Sequence, residues 1–341
     1  MVDIEAKTII KIILVVLAFV FLYLLRDVLV VLFLAIMIAS AVSPFATWLE
    51  IKRIPRLLSV LVLYIVFFGL SAVLISLVIP ILSYELSQLV QVLPKFFAGL
   101  NNALESAQGS RYLGFVGDLQ NILDSFSQFL QVSAASLFDF VVNIFGGFIS
   151  FVAIIVISFY FSVMKQGIPS FLQSVLPNAY EGYMIGLWRR AEFKIGRWFQ
   201  GQLLLALSVG LVVFVGLSLL NIKYALLLGI IAIIFELVPM VGPVLSAIPA
   251  LGLAFAQSPM LGIWVLVFYI VVQQLENHVL APIILGKTIG LNPVTVIIAL
   301  LIGAKLAGIL GLLLAVPVAV VIVEVFEDMA AQRQHRKAVA T

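Results

Sequence analysis

The sequence predicts an all-α membrane protein of about six full transmembrane helices plus two broken helical hairpins, with a small extracytoplasmic helical cap. Three observations predict it. First, 64% of the 341 residues are hydrophobic and only 10% are charged, against about half apolar and a quarter charged in a soluble domain. Second, apolar runs long enough to cross a bilayer, about 20 residues each, recur along the chain. Third, two later runs, 225–257 and 293–325, are interrupted in the middle. Pro239, Gly242 and Pro243 break the first, and Gly303, Gly308 and Gly311 break the second.

Composition excludes several function classes. There is no cysteine, so disulfides and cysteine metal sites are out, and two histidines make a histidine metal site hard to complete. No cofactor or metal is expected. A formal charge of +3 does not argue for nucleic acid. There is no Walker A motif, and Ser43 and Ser246 lack a histidine and acid arrangement for nucleophilic catalysis. The chain does not read as an enzyme.

Taken in order, Lys7 and Lys11 precede an apolar run longer than a signal-peptide core, so 9–25 reads as an uncleaved first span. Arg26-Asp27 is expected as a tight outer turn before a second span over 28–48. Lys52, Arg53 and Arg56 follow, and a third span runs over 57–80 to Pro80. From 81 to 140 Glu85, Glu105, Asp118, Asp124 and Asp139 face only Lys95 and Arg111. Leu119, Ile122, Leu123, Phe126, Phe129 and Leu130 recur there at helical spacing, which suggests amphipathic helices outside the bilayer, the cap. A fourth span, 141–164, ends at Lys165. In 166–200 Arg189, Arg190, Lys194 and Arg197 oppose a stripe of Trp188, Ala191, Ile195 and Trp198. That pattern suits a basic connector at the headgroup layer. A fifth span covers 201–220, and a sixth covers 261–281.

The divisions expected are an N-terminal transmembrane scaffold (1–80), the cap (81–140), a span with its basic helix (141–200), a core holding both hairpins (201–325) and a tail (326–341). Placing the basic clusters inside, including Arg333, Arg336 and Lys337, puts both termini in the cytoplasm and the cap outside. Charge does not choose between hairpins and plain spans, the latter giving eight spans in all. Length does: the arms 225–238 and 244–257 have about 14 residues, or about 21 Å of helix each, which suits half-membrane hairpins. Backbone groups freed at a break must meet protein or a water-filled cavity. Paired, interrupted segments are the sequence mark of a transporter's binding site.

The residues Pro239, Gly242, Pro243, Pro249, Gln274, Glu276, Asn277 and Pro282 resemble the autoinducer-2 exporter family of bacterial membrane proteins. The likeness continues through Gly286, Lys287, Leu291, Pro293, Gly303, Gly308, Gly311 and Pro317, and upstream at Pro44, Arg53 to Arg56 and Gly201-Gln202. The resemblance implies a cell-membrane protein, a homopentamer, and an elevator-like movement of each protomer. It also implies export of a small polar metabolite such as the quorum-sensing signal autoinducer-2. Sodium or lithium/proton antiport, with Glu236 and Glu276 binding ions and protons in competition, is the alternative. A structural membrane protein without transport is the second alternative.

Charges within apolar segments are costly and mark function. The substrate-binding set is Glu236, Pro239, Gly242, Pro243, Gln274, Glu276, Asn277, Lys305, Gly308 and Gly311. The plain structural reading of Glu236 is a carboxylate that caps amides freed near Pro239; for Glu276 and Asn277 it is interfacial capping. Lys305 needs a buried partner, and Glu236, at similar depth if the hairpins enter from opposite faces, is the hypothesis. His278 reads as an interfacial histidine, and Glu324, Glu327 and Asp328 as the solvated exit of the last helix. The partners expected are a small-molecule substrate and the lipid bilayer, with no nucleic acid.

Overall fold

The structure, a computed structural model, describes residues 13–14, 16–17, 20–21, 23–70, 73, 76, 147–164, 166–285 and 292–339. The proposed cap over 81–140, Lys7, Lys11, Pro80, Lys165, Gly286, Lys287 and Leu291 lie outside the described residues. Among the described residues every regular element is helical. In order these are α1 (Arg26–Ile51), α2 (Arg56–Leu70), α3 (Phe148–Val163), α4 (Gly167–Val175), α5 (Asn178–Leu219), α6 (Ala225–Glu236) and α7 (Gly242–Gln257). Then come α8 (Pro259–Leu275), a π-helical turn (Glu276–Leu280), α9 (Ala281–Ile284) and α10 (Pro293–Val339).

Helix is the one open conformation here that satisfies every backbone group within a single apolar segment. Among the described residues four stretches are long and apolar enough to cross a membrane: Arg26–Ile51, Tyr180–Leu219, Pro259–Ile284 and Val294–Ala330, the last interrupted at Ala307 and Gly308. The pair α3 and α4, bent by 84°, adds a fifth if counted as one span. On α8, Ile263, Trp264, Val267, Ile270 and Val271 are exposed while Gly262, Val265, Tyr269 and Val272 are buried. A helix apolar on every face belongs in lipid.

Two expectations change. Arg26 and Asp27 form no tight turn; they are the first residues of α1, and helical bonds run on across Leu25. Leu25 N donates to Phe21 O at 3.0 Å and Leu29 N to Leu25 O at 2.9 Å. Neither Gly nor Pro stands there to reverse the chain, and Arg26 reaches Tyr23 and Asp27 on the helix surface instead. Likewise, the basic segment does not stop at residue 200: α5 is one helix of 42 residues. Its stripe of Ala191, Ile195 and Trp198 is buried against protein, at 3%, 1% and 2% exposure, so it is not free for headgroups.

The chain forms two compact units, one of residues 1–60, 146–196 and 291–341, the other of 61–145 and 197–290. In the first unit α1 packs on α3 and on α10. A Cβ on Gly196 would lie 2.8 Å from the Ser40 carbonyl carbon, so this part of α5 lies directly on α1. Arg56, largely buried, donates to the Ser162 carbonyl at 2.8 Å and pairs with Glu50 at 3.4 Å. Arg190 pairs with Glu324 at 2.7 Å and Asp328 at 2.6 Å, and Lys194 pairs with Glu324 and Glu327. Glu324 is therefore not a solvated exit residue; it is buried, because two cations of α5 compensate its charge.

The second unit has its own apolar core. Leu205, Val209, Val213 and Leu217 of α5 meet Leu228, Ile231 and Ala232 of α6, with Ala250 and Leu253 of α7 and Val265 of α8. A Cβ on Gly229 would stand 3.0 Å from the Gly210 carbonyl oxygen. Small residues permit such backbone contact, and packing of this kind replaces the hydrophobic drive that lipid cannot supply.

Candidate transport site

Both interrupted runs fold back on themselves. In the first, α6 and α7 have 12 and 16 residues, or about 18 and 24 Å of helix, and lie against each other. Between them Met240 takes a left-handed φ of 66°. Val241 N donates to Pro239 O at 2.8 Å, and Gly242 N to Val238 O at 2.9 Å. Pro239 cannot donate a backbone bond, and Pro243 suits the first turn of α7, where donors are spare. A Cβ on Gly242 would lie 2.8 Å from Glu236 Cα, which shows how sharply the chain returns.

In the second run the helix breaks at Ala307 (φ −142°, ψ 23°) and Gly308 (φ 57°, ψ −132°). Residues eight apart on a straight helix are separated by about 12 Å. Yet a Cβ on Gly303 would stand 2.8 Å from the Gly311 carbonyl carbon, so the arms face each other.

The polar groups gather at the first break. Glu236 ends α6 and is 1% exposed; Glu276 opens the π-helical turn and is 5% exposed. Their carboxyl groups face each other. Such π-helical turns widen a helix locally and are frequent at functional sites. Gln202 of α5, also 1% exposed, donates from Nε2 to the Glu236 carbonyl at 2.5 Å, satisfying a group the helix end leaves open. Gln273 Nε2 stands 3.5 Å from Glu276 Oε2. Three buried oxygens, Gln202 Oε1 and both Glu236 carboxyl oxygens, meet no donor among the described residues. Glu236 thus does not cap freed amides, which close their own bonds within the turn.

Of the other expected site residues, Gly242 and Pro243 are buried beside Glu236, and Pro239 is half-buried in the turn. Gln274 and Asn277 are exposed on the opposite side of their helix, where His278 Nδ1 lies 3.1 Å from the Gln274 carbonyl. In the other unit Gly311 is buried between the arms, while Gly308 and Lys305 are exposed. Glu236 and Lys305 belong to different units, and neither has an ion-pair partner among the described residues. Beside the second hairpin runs a groove of about 640 Å³, lined by Ile298, Ile302, Leu306, Leu314 and other apolar side chains, with Tyr23 and Arg26 at its edge. Gln202 is the residue sequence reasoning left out of the site; an amide inside the apolar run 201–220 was its signal. No cluster of three or more His, Cys, Asp or Glu suited to a metal occurs among the described residues.

Hairpin-shaped helices with ionisable groups at their breaks define a class, the membrane transporters. The same class emerges from known proteins. Residues 12–331 match the AI-2E family transporters, and the chain belongs to that family. It is 32% identical over 289 residues to "Putative transport protein YueF" of Bacillus subtilis (strain 168), covering 82% of this chain and 78% of that protein. A Thermotoga maritima protein named "Putative transport protein" is 31% identical over 241 residues, 70% of this chain and 71% of its own length. "AI-2 transport protein TqsA" of Escherichia coli (strain K12) is 22% identical over 310 residues, 89% of this chain and 87% of that protein.

Proposed function

We propose that this transporter exports a small polar metabolite, an autoinducer-2-like signal, across the cytoplasmic membrane by elevator-like alternating access as a homopentamer. The observation that carries the reading is the pair Glu236 and Glu276, buried together at the break of the first hairpin. Buried carboxyl groups within membrane helices are costly, and a transported polar solute gives them hydrogen-bonding partners. The name of the Escherichia coli relative supports the substrate class. In this reading Arg53, Arg56, Arg190 and Lys194 mark the cytoplasmic side, and the broken tips line the solute's path. The test is uptake of labelled signal into inside-out vesicles carrying the full chain. Accumulation above empty vesicles, lost in Glu236→Gln, is expected; equal accumulation in vesicles with and without the protein contradicts the reading.

A further inference from the structure

The groove beside the second hairpin lies wholly within the first unit, framed by the two arms of α10 and the start of α1, with a volume of about 640 Å³. Ile298, Ile302 and Leu306 line it from one arm, and Leu314, Val318 and Ile322 from the other. Each set recurs every four residues, so one apolar stripe of each arm faces the groove. Ala315 and Ala319, set among the second stripe, are too small to fill the space. Ile298, Ile302, Leu306 and Ile322 remain about half exposed, which leaves the groove open along its side. Its lining runs over 295–306 and 311–323, about 17 Å of helix on each arm. One leaflet of a bilayer holds about 15 Å of hydrocarbon. The groove is as long as a lipid tail is deep.

The polar side chains of the lining are Tyr23, Arg26 and Thr295. Arg26 Nη1 donates to the Tyr23 hydroxyl at 3.0 Å, and the guanidinium lies 4.9 Å from the centre of the Tyr23 ring. Tyr23 therefore fixes the guanidinium while its own O–H meets no acceptor among the described residues. Asp27 approaches Arg26 at 3.6 Å, but it is 88% exposed and does not line the groove, so it offsets the charge weakly. A cation beside a tail-length apolar groove complements an anionic phospholipid. Guanidinium matches phosphate oxygens two at a time, and basic pockets between membrane helices take anionic headgroups. We propose that this groove retains one anionic phospholipid, with its phosphate on Arg26 and Tyr23 and an acyl chain between the arms. A zwitterionic headgroup carries a cation of its own, which Arg26 repels. A polar solute finds no hydrogen-bonding side chain along the two stripes. Because the lipid touches both arms and α1, it ties the second hairpin to the start of α1. The inference does not depend on which solute the protein carries.

Photolabelling of the full-length chain in phosphatidylcholine vesicles tests it, with a trace phospholipid that bears a photoreactive group on its acyl chain. The same acyl chain is carried once on phosphatidylglycerol and once on phosphatidylcholine. Peptides over 295–323 are expected to take about fivefold more label from the phosphatidylglycerol probe, the worth of one basic residue near a membrane surface. The exposed residues Ile263, Val267 and Ile270 of α8 should take the two probes equally. Arg26→Gln should erase the preference at the groove, and Ile302→Trp should lower groove labelling by both probes, because it fills the space. Equal labelling of the groove by the two probes in the unmodified chain overturns the proposal. So does a groove labelled by phosphatidylglycerol no more than α8 is, the result expected if a second copy or another part of this chain covers it. Both readings come from the unmodified chain and stand whether or not a variant folds.

Discussion

In the first hairpin a five-residue turn, 237–241, ends α6 on Glu236 and starts α7 at Gly242-Pro243. In the second the reversal takes only Ala307 and Gly308, and the arms meet through Gly303 and Gly311. The wider turn leaves a helix-end carbonyl for Gln202 and room for two acids behind it. The tighter one brings backbone against backbone, and Lys305, one turn earlier, is exposed. A break in an apolar helix is therefore not by itself a polar site. It becomes one where the turn is long enough for side chains from neighbouring helices to reach the freed groups.

The contrast can be broken most forcefully at the glycines. Gly242→Leu should cost about 3 kcal/mol or more, since even a Cβ collides with Phe235 and Glu236. Gly308→Ala should cost about 1–2 kcal/mol, because the backbone φ of 57° is strained for alanine while the space around it is open. Thermal melts of both variants check this, and equal losses would mean that the two turns are built alike. At the charges, Glu236→Gln should slow transport by about tenfold or more, while Lys305→Met should stay within about twofold of the parent rate. A larger loss at Lys305 would move the polar centre to the second hairpin. The smallest effect is expected at the distal end of the second hairpin, held by Glu324 to Arg190 and Lys194. Glu324→Gln should lower stability by about 1 kcal/mol in low salt and less in high salt, because partly exposed pairs are screened. An equal loss at both salt concentrations would mean that packing, not charge, anchors the arm.

Much of this was legible in the sequence. Apolar runs near bilayer length announced the helices, and Pro239, Gly242, Pro243 and Gly308 announced the two reversals, because these residues act on the backbone locally. Glu236 and Glu276 stood out for the same local reason, as charges amid apolar neighbours. Less legible was whatever depended on distant partners. Gln202 and Glu236 are 34 residues apart, and Arg190 and Glu324 are 134 apart. No spacing rule could pair them. Arg26-Asp27 misled because charges between apolar runs mark a turn only when the backbone also has reason to leave the helix.

The most direct test of the central claim, that Glu236 and Glu276 act as one site, is a double-mutant cycle on the transport rate. Glu236→Gln and Glu276→Gln are measured singly and together in proteoliposomes under identical gradients. Two groups sharing one ligand are non-additive: each single change should slow transport by about tenfold or more, and the double change should be no slower than the worse single one. Losses that multiply independently, or a single variant that transports at the parent rate, would contradict it.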